Sequence, residues 1–419
     1  MRTIIVISNR GFAAFRHDLV IDPDQFRFVG LFSEHDAKNV PVALRGFLAE
    51  THVLPCGKAD ASVAESSYVD PSAARAVVGR IVAECGAANV TLHSYDERNL
   101  LLAADLRAEF GLPGLRRDQV LPFRDKCLMK QLVRAAGIRV PRFGRYDDTA
   151  GVDRAGYFAG ITGEVGLPFI LKPVDGNSAD GVYQIDSFDD FAAVPDDLGR
   201  PYEYEEFIAG QIFSVNIVSR DRRSLVAGVT EYLVNSKAVR EGRVNADINL
   251  IDTDPRVAPM IAFAEAALDA LGWPDGASHL ELFRTADGEL VFLEVAARFK
   301  GLAGVAAMQR NYAVALVNLA LEIEAGLVSR PWADEQVYCF DAVIPKEHGV
   351  IRRLVEPDIE SEYGITWKVH EGQTIGQGES LGDNGGVFLV WNKDYDVLYR
   401  DYERLASYRP IGYAGREVG

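Results

Sequence analysis

The sequence predicts an α/β protein, and three of its patterns predict it. Over residues 1–120, short β-branched runs alternate with segments of helical apolar spacing, which implies βαβ units and a parallel sheet. In the middle of the chain strands and helices mix, and two alternating apolar runs flank Asp287-Gly288, a strong hairpin signal. From about Pro331 short strands are separated by Gly349, Gly364, Gly372, Gly376, Gly378, Gly382, Gly385 and Gly386, which predicts a small β-rich C-terminal domain. A chain of 419 residues is long enough for two or three cores.

Residues 3–8 read as a buried parallel strand ending in the turn Ser8-Asn9-Arg10-Gly11. Arg27–Phe32, Thr51–Pro55 and Asn89–His93 are further strands, with helices at Arg75–Cys85 and Glu97–Phe110. Asp125 caps a helix running to Ala136, and Gly137 ends it. Pro141 keeps the next segment extended. Gly166–Pro173 is a strand that delivers Lys172 into the glycine-containing loop Val174–Val182. Tyr202–Ile208 and Ile212–Val218 are strands around Ala209-Gly210, Arg256–Leu271 is an amphipathic helix with a core-facing stripe, and Asn311–Ala325 is another helix.

Hydrophobic residues make up 48% of the chain and charged residues 25%, as in ordinary globular proteins. The formal net charge of −17 argues against partners rich in phosphate backbone or anionic lipid. A local cluster of Lys and Arg can still hold a small anion such as ATP. Cys56, Cys85, Cys127 and Cys339 are scattered, without a C-x-x-C pair, and are expected as reduced thiols. The N-terminal apolar run is too short for a signal peptide, and no stretch reaches the length of a membrane span. The expectation is a cytoplasmic protein that binds neither nucleic acid nor membrane. Neither G-x-G-x-x-G after the first strand nor a P-loop occurs.

The chemistry concentrates in the hairpin. With Asp287-Gly288 as a two-residue turn, Glu281 falls opposite Glu294. Like charges directly across strands repel, so a sequence that places them there needs a compensating cation. Two converging carboxylates suit Mg²⁺, which takes oxygen ligands and often substrate phosphates. Arg298 adds a positive charge beside the pair, and His279 shares its face. An exposed strand face with two solvated glutamates is the alternative. Lys126 opens a helix, and Lys172 adjoins a loop whose backbone N–H groups could cradle polyphosphate. Lys300 follows Arg298, where a solvated loop and a substrate contact are both open readings. Arg240, Arg243, Asn245 and Asp247 form a polar stretch that a substrate could face.

In order, Asp125-Lys126, Gly166-Leu-Pro-Phe-Ile-Leu-Lys172-Pro173, Glu205-Glu206-Phe207-Ile208-Ala-Gly210, His279-Leu-Glu281 and Leu293-Glu294-Val-Ala-Ala-Arg298 resemble the motifs of ATP-grasp enzymes. The Glu-Val-Ala-Ala-Arg form and the β-rich tail look most like carboxylate–amine ligases that join L-amino acids. The resemblance implies an α/β pre-domain (1–120), an ATP-grasp domain (121–328, with lobes 121–210 and 211–328) and a C-terminal domain (329–419). It implies that Lys126, Lys172, Asn177, Ser178 and Gly181 hold ATP phosphates. Glu205, Glu206, Phe207 and Ile208 would form the adenine hinge, mostly through backbone atoms. Glu281 and Glu294 would hold Mg²⁺, or Mn²⁺ in its place, and Arg298 would stabilise the transferring phosphoryl group. His279, Lys300, Asn245 and Asp247 are candidate contacts to an acid or amine substrate by their own positions in the chain, because residues 244–249 lack the substrate-touching His of some dipeptide-forming relatives.

Two departures from the family pattern stand out. Ala296 replaces an Asn metal ligand, and Ile212 replaces a ribose-binding Glu. The implied activity is ATP-dependent joining of a carboxylate to an amine, with homodimerisation as a fold-level expectation. Alternatives are a phosphoryl transferase or carboxylase-like enzyme, and a non-catalytic nucleotide-binding protein.

Overall fold

A computed structural model describes residues 1–57, 67–147, 153–176, 180–234, 242–378 and 381–415. The chain begins with a parallel sheet of order β3-β2-β1-β4, from β1 (Arg2–Ile7), β2 (Phe26–Ser33), β3 (Glu50–Leu54) and β4 (Val90–His93). The β-branched run of β1 has no polar alternation because both faces of the sheet are covered. Ile5 and Ile7 pack with Val78, Ile81 and Leu106 of the helices Pro71–Cys85 and Leu100–Phe110. Ile4 and Val6 share a core with Leu316, Val317 and Leu321. At Gly11 (φ +73°) a Cβ would lie 2.8 Å from Cβ of Tyr95, so glycine permits both the turn and the close approach.

A second, antiparallel sheet has the order β5-β8-β6-β7, with β5 (Phe143–Tyr146), β6 (Phe169–Pro173), β7 (Tyr183–Ile185) and β8 (Tyr202–Glu206). The period of two sorts its faces. Phe169, Leu171 and Tyr202 join a core with Ile161 and Val165 of the helix Arg154–Val165. Lys172, Glu203 and Glu205 face the other way, toward the helix Lys126–Ala135.

The third sheet has eight strands in the order β13-β12-β9-β10-β11-β14-β18-β16. They are β9 (Gly210–Arg220), β10 (Arg223–Tyr232), β11 (Asn245–Asn249), β12 (Gly276–Thr285), β13 (Leu290–Ala296), β14 (Tyr338–Ile344), β16 (Glu362–Trp367) and β18 (Gly386–Asn392). Two short strands, β17 (Thr374–Ile375) and β19 (Ile411–Tyr413), flank β15 (Gly349–Leu354) in a small separate sheet. Strands from residue 338 onward thus extend the sheet that begins in the middle of the chain. Phe213, Val215, Leu280, Leu282 and Phe292 of the large sheet pack against Met129 and Val133 of one helix and Met260, Ala264 and Leu268 of the helix Val257–Leu271.

The helix expected at Asn311–Ala325 is two helices, Gly304–Tyr312 and Leu316–Ala325. Ala313 between them has φ +50°, outside the helical region, so Asn311 lies in the last turn of the first helix instead of beginning a longer one. Among the described residues no helix is long and apolar enough to cross a membrane.

Candidate active site

The hairpin puts Glu281 directly opposite Glu294, but not by a two-residue turn. Arg284 pairs with Leu290, and Gly288 N donates to Thr285 O at 3.0 Å, so Ala286-Asp287-Gly288 form a three-residue loop with Gly288 at φ +91°. That loop shifts the register by one residue. A β-bulge at Leu293 shifts it back, because Leu282 faces Phe292 while Glu281 faces Glu294. The bulge has a consequence for chemistry. Phe292 belongs to the core, and unbroken alternation would carry Glu294 to the same face. With the extra residue, Val295 packs inward and Glu294 turns out beside Glu281.

Each glutamate is already engaged. Tyr232 Oη donates to Glu281 Oε1 at 2.9 Å, and His279 Nε2 lies 3.3 Å from the same oxygen. Lys126 Nζ is 3.3 Å from Glu294 Oε2. Asp125 accepts from Leu128 N at 3.0 Å as the helix cap, which sets Lys126 at the helix start as the sequence predicts. Lys126 Nζ also donates to Gly176 O at 2.6 Å, so Glu294 and the glycine loop meet at one ammonium. Arg298 donates from Nε and Nη2 to Glu97 Oε2 at 3.0 and 2.8 Å. Glu97 also pairs with Arg124. Burial works to raise the Glu97 carboxyl, but Arg298, Arg124 and Lys126 outweigh it and hold it at about 2. The N-terminal segment therefore orients the arginine of the hairpin.

Lys172 and Lys130 are not free surface charges. Lys172 Nζ lies 2.6 Å from Glu205 Oε1, and Lys130 lies 2.6 Å from Glu203 Oε1 and also pairs with Glu205. Burial opposes the charge on Lys172, yet Glu205, Glu203 and Glu294 hold its ammonium above the usual lysine range. Burial likewise opposes the Glu205 carboxylate, but Lys130 and Lys172 hold it at about 2. Buried Cys127 donates to Glu203 Oε2 at 3.3 Å. Residues 202–206 of β8 pair with β5 on one side and β6 on the other, so the Glu205 backbone lies inside the sheet. The chain leaves the sheet at Phe207, which is 38% exposed, and Ile208, which is buried. Glu206 is gripped by Arg139 at 3.1 Å and by Arg142, whose N donates to it at 3.0 Å. Gly181 has φ +68°, and a Cβ there would meet Tyr202 Oη at 2.5 Å. Asn177, Ser178 and Arg240 lie outside the described residues.

Lys300 is buried, which rules out the solvated loop. It bridges Asp247 at 2.7 Å and Asp341 at 2.9 Å, from strands β11 and β14. Burial pushes the Asp247 carboxyl up to about 7 against the pull of Lys300, with Asp341 adding to the rise. Asp247 Oδ1 and Asn245 Oδ1, two residues apart on β11, are buried without a hydrogen-bond partner. The sequence reading passed over Lys130, Glu97, Tyr232 and Asn216. Lys130 alone left a signal, since it lies one helical turn from Lys126 on a helix facing the alternating Glu203 and Glu205.

No protein-family model matches the chain. Over 242 residues it is 25% identical to an L-arginine-specific L-amino acid ligase of Bacillus subtilis, a match spanning 55% of this chain and 56% of that one. The chain thus aligns with only about half the length of this curated relative. The crystal structure of an L-amino acid ligase from Bacillus licheniformis superposes with a TM-score of 0.72 at 17% identity, covering 99% of both chains. The biotin carboxylase domain of Hydrogenobacter thermophilus 2-oxoglutarate carboxylase, solved with MgADP, ADP and bicarbonate, gives a TM-score of 0.63 at 15% identity, covering 98% of this chain and 90% of that one. The chain has the ATP-grasp fold.

In this ATP-grasp chain, Lys126, Lys172, Glu281, Glu294 and Arg298 stand where the eight-stranded sheet, the helix Lys126–Ala135 and the four-stranded sheet meet, while Gly181 lies against Tyr202. Among the described residues no three His, Cys, Asp or Glu side chains are gathered closely enough to hold a metal ion unaided. The donor set still fits Mg²⁺, which keeps water and takes phosphate oxygens beside one or two carboxylates.

Proposed function

We propose that this chain is an ATP-dependent ligase that activates a carboxylate as an acylphosphate and joins it to an amine. The observation that carries the reading is the carboxylate pair Glu281 and Glu294, turned to one face by the loop and bulge, with Lys126 and Arg298 beside it. A carboxylate is a poor electrophile. Transfer of the γ-phosphoryl group to one of its oxygens makes a mixed anhydride and releases ADP. The amine nitrogen then attacks the acyl carbon, the C–O bond to phosphate breaks, and the amine gives up a proton as phosphate leaves. These steps need positioning and charge neutralisation more than a protein nucleophile. Lys126 and Lys172 would neutralise phosphate oxygens, and Phe207 and Ile208, at the end of β8, would meet the adenine. Arg298, aimed by Glu97, would stabilise charge on the transferring phosphoryl group. Mg²⁺ held at Glu281 and Glu294 would supply electrostatic stabilisation of the same phosphates.

The relative's name supports an amino acid as one substrate. The test is release of ADP and phosphate with Mg²⁺ across a matrix of amino acids and related acids, with mass spectrometry of each positive mixture. The expected outcome is turnover that requires both an acid and an amine, with a product equal to their sum minus water. Release with bicarbonate or an alcohol alone would replace the ligase by a carboxylase-like enzyme or a kinase. Silence, together with no ATP binding, would leave a non-catalytic protein.

A further inference from the structure

The tripeptide Arg124-Asp125-Lys126 stands between the base of the glycine loop and the arginine of the hairpin. Asp125 is extended (φ −89°, ψ 104°), so its two neighbours project to one side and its own carboxylate to the other, where Arg145 meets it at 2.5 Å. On the first side, three successive loop carbonyls accept from this short segment. Val174 O accepts from Lys126 N at 3.1 Å, Asp175 O from Arg124 Nη2 at 2.6 Å, and Gly176 O from Lys126 Nζ at 2.6 Å. Lys126 continues to Glu294, and Arg124 continues through Nη1 to Glu97 Oε1.

Glu97 divides its carboxylate between two arginines. Oε1 faces Arg124, while Oε2 accepts from Nε and Nη2 of Arg298 at 3.0 and 2.8 Å. Arg298 Nη1 also donates to Phe299 O at 2.8 Å. A guanidinium carries five N–H groups in one plane, so these bonds use three and leave one on Nη1 and one on Nη2. Their direction follows the plane of the Glu97 carboxylate. A carboxylate held at one oxygen can swing about its last bond, and one held at both cannot. Arg124 supplies the second hold, and Asp175 O fixes the plane of Arg124 in turn. Glu97 and Arg124 are 5% and 7% exposed, so water is a poor substitute for either partner. Lysine could not do the same, because one ammonium nitrogen would have to serve both acceptors that the rigid guanidinium fork spans with two. We propose that Arg124 is a positioning residue for phosphoryl transfer: through Glu97 it fixes the direction of the two N–H groups that Arg298 keeps for the transferring group, and it ties that direction to the base of the glycine loop at Asp175. This rests on the ligase reading's role for Arg298 and adds the residue that sets it.

Binding of a phosphoryl-transfer mimic tests the role without turnover. The Kd of the full chain for ADP with Mg²⁺ is measured with and without aluminium fluoride, which stands in for the transferring group. The fluoride should tighten ADP binding to the wild-type chain. Arg124→Lys keeps the charge and loses the fork. It should hold the Kd for ADP alone within about twofold, cut the gain from fluoride roughly tenfold, and lower kcat by a similar factor at a nearly constant KM for ATP. A plain counter-charge for Glu97 would be rescued by lysine. Glu97→Gln combined with Arg124→Lys should reduce the gain no further than Glu97→Gln alone, because both act through one carboxylate. A full fluoride gain in Arg124→Lys, or additive losses in the double variant, would overturn the inference and leave the phosphoryl-transfer reading intact. A wild-type chain that binds no ADP, or gains nothing from fluoride, would overturn both. Arg124→Gln takes the place of the lysine variant if that one does not fold, and failure of both to fold would make Arg124 a folding residue and overturn the inference.

Discussion

The two halves of the site solve opposite electrostatic problems. On the proposed nucleotide side, Lys130, Lys172, Glu203 and Glu205 form a closed cluster, with Lys130 and Glu203 at 0% side-chain exposure. On the proposed metal side, Glu281 and Glu294 keep 23% and 25% of their side-chain surface and share donors with neighbouring segments. The closed cluster fixes a geometry before any ligand arrives. The open pair retains charge that an incoming cation can use. Buried ion pairs are costly to break and modest in net gain, so the first arrangement specifies shape, while the second holds reactivity.

The largest effect expected from disturbing this contrast is at the open pair. Glu294→Ala should lower turnover by roughly a hundredfold or more, as for loss of one preorganised charge at a reacting centre, with little change in urea stability. Unchanged turnover would remove Glu294 from the metal site. Lys130→Met should do the reverse, destabilising the chain by about 3–5 kcal/mol in urea unfolding, because Glu203 and Glu205 lose a buried counter-charge. Glu97→Gln, which loosens Arg298 without touching a phosphate, should lower kcat by roughly tenfold while the KM for ATP stays nearly constant. A fall in ATP affinity alone would place Arg298 elsewhere in the mechanism.

Acid should also separate the halves. The Glu205 carboxyl is held at about 2 in the folded chain against an ordinary 4.5. A lowered value means that the folded state binds fewer protons, so the cluster's stabilisation is complete above about 4.5 and is lost as pH falls toward 2. Hydrogen exchange of β6 and β8 should therefore accelerate across that interval, and the Lys130→Met chain should show a flatter dependence. The smallest effect is expected at Gly288, whose φ of +91° penalises any side chain. Gly288→Ala should cost about 1 kcal/mol in thermal unfolding and blur the register that faces Glu281 to Glu294.

The same contrast explains what the sequence disclosed. Like charges brought together by a local turn are legible, because a hairpin converts spacing into position over a few residues. The pair Glu281 and Glu294 was legible this way, although the loop and the bulge reach that pairing by two compensating shifts. The continuous apolar run of β1 and the Asp125 cap were legible for similarly local reasons. Partners separated by long stretches were not. Lys130 meets Glu203 across 73 residues, and Arg298 meets Glu97 across 201. No periodicity encodes such meetings, since the packing of separate sheets produces them. The break at Ala313 was hidden because a single residue with positive φ leaves helical apolar spacing intact on both sides.

The most direct test of the central claim is transfer of an isotope from the acid. With an accepted acid labelled with ¹⁸O in its carboxylate, mass spectrometry of the phosphate released during coupling should show one ¹⁸O atom per turnover, because an acylphosphate passes a carboxylate oxygen to phosphate. Phosphate free of label, with coupled product still formed, would contradict activation of the carboxylate by ATP.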